Sequence, residues 1–399
     1  MKNQQNHTFT LAILLMTLFI AFLGISLVIP VTPTIMNELN ITGTVVGYLV
    51  AAFALTQLVV SPIAGRWADR FGRKIMIIIG LFFFSLSEFL FGIGKVIEVL
   101  FISRMLGGIS AAFIMPAVTA FIADITSIET RPKALGYMSA AISTGFIVGP
   151  GIGGFLADFG SRLPFFFAAG FALFAAILSM ITLREPKRNL ENENITIQQS
   201  GIKRIFSPLY FIPFMIILIS SFGLASFESL FSLFTDHKFG FSPQDIAIMI
   251  TGGAIVGAVT QVVLFDRMTR WWGEIRVIRY SLILSAILVF LMTIVHSYVA
   301  ILFVTFTVFV GFDLMRPAVT NYLSKIAGKE QGFVGGMNSM FTSLGNIIGP
   351  IVGGSLFDIK LNYPFYFATI ILVIGIGLTI VWKMPKQSKS DAILHKGEA

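Results

Sequence analysis

Gly145-Phe146-Ile147-Val148-Gly149-Pro150-Gly151-Ile152-Gly153-Gly154 is the stretch on which the reading of this chain turns. It sits inside a long apolar run, where a helix loses about 1 kcal/mol for each Gly and about 3 for a Pro relative to Ala. In membrane helices such residues are tolerated because neighbouring elements re-satisfy the freed backbone groups. The pattern returns as Gly345-Asn346-Ile347-Ile348-Gly349-Pro350-Ile351-Val352-Gly353-Gly354, 200 residues later in a chain of 399. Bending helices, a membrane and duplicated halves together point to a carrier.

Composition agrees. The chain is 56% hydrophobic and 12% charged, against about 25% charged in soluble domains. Without cysteine, disulfides and thiolate metal sites are excluded. The four histidines fall in tails or near loops, which supports neither a metal site nor a histidine proton relay. No phosphate-binding loop of the G-x-x-x-x-G-K-[ST] type occurs, so ATP does not drive the chain directly; no catalytic triad or H-E-x-x-H appears either, and neither an enzyme nor a cofactor is expected. The net charge of +8 reflects basic loops between apolar spans, hence membrane anchoring rather than nucleic acid binding.

Twelve apolar stretches are long enough to span a bilayer, at roughly 10–35, 45–64, 75–94, 98–123, 134–157, 164–183, 208–235, 245–265, 277–295, 298–323, 332–357 and 363–382. The run Phe9–Ile35 exceeds a signal-peptide core and reads as the first span. Of 28 Lys and Arg, only Lys95, Arg162, Lys238 and Lys360 fall on the outer side if both termini are cytoplasmic; Arg104 and Arg316 lie within spans, and the other 22 are inside. That asymmetry fits the positive-inside rule at every loop. The expected organisation is an all-α membrane protein: a six-helix bundle over 1–183, a cytoplasmic linker over 184–207, a second six-helix bundle over 208–383 and a cytoplasmic tail over 384–399. Asp158/Asp358, Pro164/Pro364, Phe165/Phe365 and Ala168/Ala368 keep the offset of 200, and Met115-Pro116-Ala117-Val118-Thr119 echoes Arg316-Pro317-Ala318-Val319-Thr320. Each half begins inside and holds an even number of spans, so the halves are parallel repeats that rock about a central site. One chain carries both halves, and a monomer is expected.

Acids within spans mark the chemistry. Glu228 in span seven and Asp313 in span ten each carry an insertion penalty of about 2.5–3.5 kcal/mol if ionised in lipid, so they belong in the bundle interior. An acid that loads a proton on one side and releases it on the other is the minimum part of a proton-coupled carrier. Asp313 is also spaced to pair structurally with Arg316 at i, i+3. Glu88 in span three either serves function or reaches the headgroups. Arg104 in span four needs a partner across a helix interface, as scaffold or as part of a proton path.

Gly65-Arg66-Trp67-Ala68-Asp69-Arg70-Phe71-Gly72-Arg73-Lys74 joins spans two and three. Glycines permit a tight turn and Asp69 can face a helix N-terminus; the expected contact is the start of span eleven near Gly332–Gly336, a latch on the cytoplasmic side. Phe309 shares a face with Asp313, Phe146 sits in the glycine motif, and Phe22, Ile25 and Gln57 point inward, which suggests an apolar cavity with a few acids, suited to lipophilic cations.

These residues resemble the major facilitator superfamily, and within it the bacterial drug–proton antiporters of the Bmr/NorA multidrug efflux type, over roughly residues 10–383. Gly65, Asp69, Arg70, Gly72 and Arg73 match the superfamily loop motif. Arg104-Met105-Leu106-Gly107-Gly108 is similar to the span-four arginine motif, and Gly145, Gly149, Pro150, Gly153 and Gly154 to the antiporter motif. Ser221–Glu228 and Gly311–Pro317 resemble spans seven and ten of that group. In the second half only Asp266, Arg267 and Gly273 survive from the loop motif. The resemblance implies export of dyes, quaternary ammonium compounds and fluoroquinolones from the cytoplasmic membrane in exchange for protons. It further implies proton coupling at Glu228 and Asp313, with Arg316 and Arg104 beside them, and drug contact at Phe146 and Phe309. An exporter of a specific metabolite or polyamine would use the same parts.

Overall fold

A computed structural model describes residues 2–127, 130–186, 207, 209–327 and 330–382. The expected linker lies outside these from 187 to 206, as does the tail. Every described element is helical: α1 (Lys2–Leu27), a 3-10 turn (Ile29–Val31), α2 (Thr32–Glu38), α3 (Gly43–Phe71), α4 (Arg73–Ile93), α5 (Ile97–Ile125), α6 (Arg131–Ala157), α7 (Leu163–Thr182), α8 (Phe211–Phe239), α9 (Pro243–Trp272), α10 (Glu274–Ile294), α11 (Tyr298–Ala327), α12 (Gln331–Ile359) and α13 (Tyr363–Val381). Twelve spans result, the first made of α1, the 3-10 turn and α2. The first span is not one continuous helix: Pro30 and Pro33 each lack an N–H donor, and the backbone tightens into a 3-10 turn at Ile29–Val31 before α2 resumes.

The first six spans pack among themselves, α4 against α5 and α7, α5 against α3, and α1 against α6 and α7. The last six do likewise, α10 against α11 and α13, α11 against α9, and α8 against α12 and α13. Between the groups run α3–α12 and α6–α9.

Glycine sets the spacing. A Cβ at Gly145 would lie 2.8 Å from the Leu23 nitrogen and the Phe19 oxygen, and at Gly149 it would strike Ser26 Oγ and the Leu23 carbonyl. In the repeat, Gly345 faces Ser221 and Phe222, and Gly349 the Phe222 carbonyl. The motif therefore lets α6 lie backbone to backbone on α1, and α12 on α8, as small residues do in membrane helix pairs. Its last residue serves the other group: Gly154 meets Ala247 of α9, and Gly354 meets the Gly43 carbonyl of α3.

The two groups are clasped at that end. Asp358, just inside the end of α12, accepts hydrogen bonds from the Gly43 and Thr44 N–H groups at the start of α3, at 2.7 and 2.9 Å. Its repeat counterpart Asp158, after α6, accepts from Gln244 in the first turn of α9. Asn37 of α2 donates to Asp236 of α8 at 2.9 Å. At the opposite end, added Cβ atoms at Gly65, Gly136, Gly335 and Gly336 would meet nothing within 4 Å. The molecule is closed at the clasp end and open at the end that carries the loop motif.

That motif differs from the expectation. α3 continues through Gly65 to Phe71, and the turn is made by Gly72 alone, at φ 104°. Asp69 faces Arg73 at 2.8 Å, and among the described residues it pairs neither with a helix N-terminus nor with the start of span eleven. The N-terminus of α4 is capped instead by Glu185, whose carboxylate accepts from the Arg73 and Lys74 N–H groups at 2.6 and 2.9 Å. Arg73 also reaches Asp124 at the end of α5, at 3.0 Å. The second half repeats this bridge with reversed polarity: after the equivalent turn at Gly273 (φ 76°), Glu274 pairs with Lys325 at the end of α11.

Two of the basic residues on the clasp side have a structural use. Arg162 donates to the Gly92 and Gly94 carbonyls at the end of α4, and Lys238 to the Met292 and Thr293 carbonyls at the end of α10. Both satisfy orphan carbonyls at a helix C-terminus, where positive charge is favoured.

Candidate substrate and proton site

Two cavities meet between the halves. The larger, about 360 Å³, is walled by Ile25, Val28, Ile29 and Thr32 from the first span, Val46, Leu49, Phe53 and Gln57 from α3, Arg104 from α5 and Ala225, Glu228, Ser229 and Ser232 from α8. The smaller, about 230 Å³, is walled by Phe146 of α6, Leu224 and Glu228 of α8, Phe312, Met315 and Arg316 of α11, and Asn338, Thr342 and Asn346 of α12. Glu228 and Asn346 belong to both and form the shared wall.

The repeat explains the larger cavity. Ile25, Val28, Ile29 and Thr32 stand at an offset of 200 from Ala225, Glu228, Ser229 and Ser232. Equivalent faces of the first and seventh spans therefore look at one another, both held in place by the glycine-lined helices behind them. The symmetry is broken chemically. Where the first half has Val28, the second has Glu228; where the first has Phe146, the second has Asn346. The Glu228 side chain is exposed to the cavity, on the wall that both compartments share.

Most of the expected residues converge here. Ile25, Gln57 and Arg104 line the larger cavity, Phe146 and Arg316 the smaller, and Glu228 both. Phe22 stands behind Phe146, with ring centroids 5.3 Å apart. Two residues are placed otherwise. Phe309 is 9% exposed and lies against Gly253 of α9 and Phe227 of α8, so in this conformation it is core rather than substrate wall. Asp313 turns toward α9, where the absent side chain of Gly257 makes room for its carboxylate. It lines neither cavity and forms no ion pair with Arg316 among the described residues.

Sequence reasoning missed Asn346 as a site residue and left Glu88 between two readings. Asn346 was visible as the partner of Phe146 at an offset of 200. Glu88 does not reach the headgroups: it is 1% exposed and lies 3.8 Å from Arg104, supplying the acid that no residue near Arg104 in sequence could. The Arg104 guanidinium also lies 4.1 Å from the ring centre of Phe91.

An apolar chamber with one accessible acid, flanking arginines and aromatic rings can hold an amphipathic molecule bearing positive charge. It offers no metal-binding group of His, Cys, Asp or Glu among the described residues.

Comparison with known proteins places this architecture. The Major Facilitator Superfamily sequence profile matches residues 14–311 and 214–398. The chain is 78% identical over 387 residues to Multidrug resistance protein 1 of Bacillus subtilis, covering 97% of this chain and 100% of that one. It is 44% identical over 371 residues to the Quinolone resistance protein NorA of Staphylococcus aureus, covering 93% and 96%. Among solved structures, an inward-facing, unoccupied bacterial homolog of the human lysosomal transporter Spinster superposes with a TM-score of 0.80 at 16% identity, covering 94% and 96%, a likeness of fold alone. Twelve spans in two repeated groups, a central cavity and these relatives lead to one conclusion: the chain is a multi-pass membrane transporter, not an enzyme, and belongs to the Major Facilitator Superfamily.

Proposed function

We propose that this chain exports lipophilic, often cationic compounds across the cytoplasmic membrane in exchange for protons, with both termini in the cytoplasm and the chain acting as a monomer. The observation that carries this reading is Glu228, a carboxylate in an otherwise largely apolar chamber, reachable from the cavity and shared by both of its compartments. The 78% identical relative named for multidrug resistance and the 44% identical one named for quinolone resistance supply the substrate class.

With the loop-motif end in the cytoplasm, the open cavity faces inward. A cation enters, sits against Phe146 and the apolar walls, and pairs with ionised Glu228. The groups over 1–183 and 208–383 then rock as two bodies, joined through 184–207. The clasp at Asp158 and Asp358 parts, and the loop motif closes toward Gly335 and Gly336. Protons arriving from outside compete with the cation for Glu228, the cation leaves, and the protonated carrier returns. Asp313, one turn from Arg316 and sheltered by Gly257, is the second proton-carrying acid; protonating it alters the field on Arg316 at the cavity wall.

Exporting a monocation against an inside-negative potential costs ~2.3 kcal/mol per 100 mV. One entering proton cancels that term and leaves the pH gradient, about 1.4 kcal/mol per unit, enough for roughly a tenfold drug gradient per pH unit. A second proton through Asp313 would add the potential back as a driving force.

Reconstituted proteoliposomes with an imposed pH gradient test the reading. Ethidium should accumulate only in the compartment with the higher proton concentration, and collapse of the gradient should release it. Accumulation in the opposite sense, or none for any of several lipophilic cations, would contradict it.

A further inference from the structure

The pair Glu88–Arg104 has an unusual construction for a buried ion pair. Glu88 is 1% exposed, its Oε2 has no hydrogen-bond partner, and the approach of Arg104 Nη1 to Oε1, 3.8 Å, is longer than a hydrogen bond. Among the described residues Arg104 donates no hydrogen bond, and its guanidinium rests on the Phe91 ring. Burying a carboxylate with one lone-pair face unsatisfied is unfavourable unless the opposite charge is held nearby, so Glu88 needs Arg104 more than Arg104 needs Glu88. Arg104 also borders the larger cavity together with Glu228. It is a cation with spare donors that pairs with a buried acid of α4 and lines the same cavity as an accessible acid of α8.

We infer that Glu88 is a positioning residue that keeps Arg104 from neutralising Glu228, and thereby sets the cavity's preference for cationic substrates. This rests on the export reading above and names what maintains its charge selectivity. The charged groups at the site are Glu88, Arg104, Glu228, Asp313 and Arg316; fully ionised, they sum to one negative charge, which a monocationic substrate balances. Without the Glu88 charge the sum is zero. Arg104 then turns to Glu228, and an incoming cation must displace an internal one. Removing Arg104 as well restores the single negative charge and frees Glu228 again.

Binding of tetraphenylphosphonium to the purified full chain, by isothermal titration calorimetry, tests this. Glu88→Gln should weaken binding by about tenfold or more, and Glu88→Asp should recover part of the loss. The double variant Glu88→Gln with Arg104→Gln should bind more tightly than Glu88→Gln alone, which lost packing in α4 would not produce. Thermal melting of each variant reports on folding, and the double variant still decides the matter if Glu88→Gln is less stable. Wild-type affinity in Glu88→Gln, or no recovery in the double variant, overturns the role of Glu88 and leaves the export reading intact. Failure of the wild-type chain to bind the cation overturns both.

Discussion

At the scale of single residues, what the sequence made legible was chemical type, and what it hid was direction. Glu228 and Arg104 stood out because ionisable groups within spans demand partners, and both line the cavity. Phe309 and Asp313 share a face with each other, as their spacing required, but that face turns to α9, whose Gly253 and Gly257 receive them. Only the packing angle between α9 and α11 decides this, and no periodicity within one helix encodes it. Glu88 and its partner lie on different helices, 16 residues apart, for the same reason. Substitution tests follow. Glu228→Gln should weaken binding of a permanent monocation such as tetraphenylphosphonium by about tenfold or more, since a desolvated charge contact of at least ~1.4 kcal/mol is lost. Asn346→Ala, which opens the same wall without changing charge, should shift affinities among substrates of different shape while leaving the preference for cations. Titrating a cationic and an uncharged substrate into each variant separates the two outcomes.

At the scale of elements, the twelve spans and the turn at Gly72 were readable from pattern, whereas the glycine stretches, read as bends, serve in continuous helices as close-packing faces. The helical course of α3 through Gly65 and the capping of α4 by Glu185 were not readable, because the cap comes from a residue 112 positions away from Arg73. The bridges at the open end carry a test. Arg73–Asp124 and Glu274–Lys325 join the same elements in the two halves with opposite sign. Lys325 is largely exposed, so its pair is worth about 1 kcal/mol or less. Glu274→Lys should lower the melting temperature through like-charge repulsion, and adding Lys325→Glu should return most of the loss. The clasp carries another. Asp358→Asn weakens a charge-assisted cap on the N-terminus of α3, worth about 1 kcal/mol. Because that contact exists only with the clasp end closed, the ratio of states should move about fivefold toward opening there. Spin labels on exposed Tyr48 and Lys360 would report a longer distance population in the variant.

At the scale of the whole molecule, the duplication read from two glycine stretches accounts for the frame: two similar groups, each lending an equivalent helix face to one chamber. It does not account for the function, which lives where the repeat is broken, at Glu228 opposite Val28 and Asn346 opposite Phe146. The present conformation is closed at the clasp and open at the loop motif, and Asp69 pairs with Arg73 in it. The central claim is that drug and proton compete for Glu228 in this chamber, with Asp313 as the second proton carrier, so that movement of one drives the other. The most direct test is proton movement in energised everted membrane vesicles containing the protein, followed with a lumenal pH dye as ethidium is added. The account predicts proton release from the lumen on addition of the drug, absent in a variant carrying both Glu228→Gln and Asp313→Asn. Ethidium transport with no accompanying proton release, or release that persists unchanged in the double variant, would contradict it.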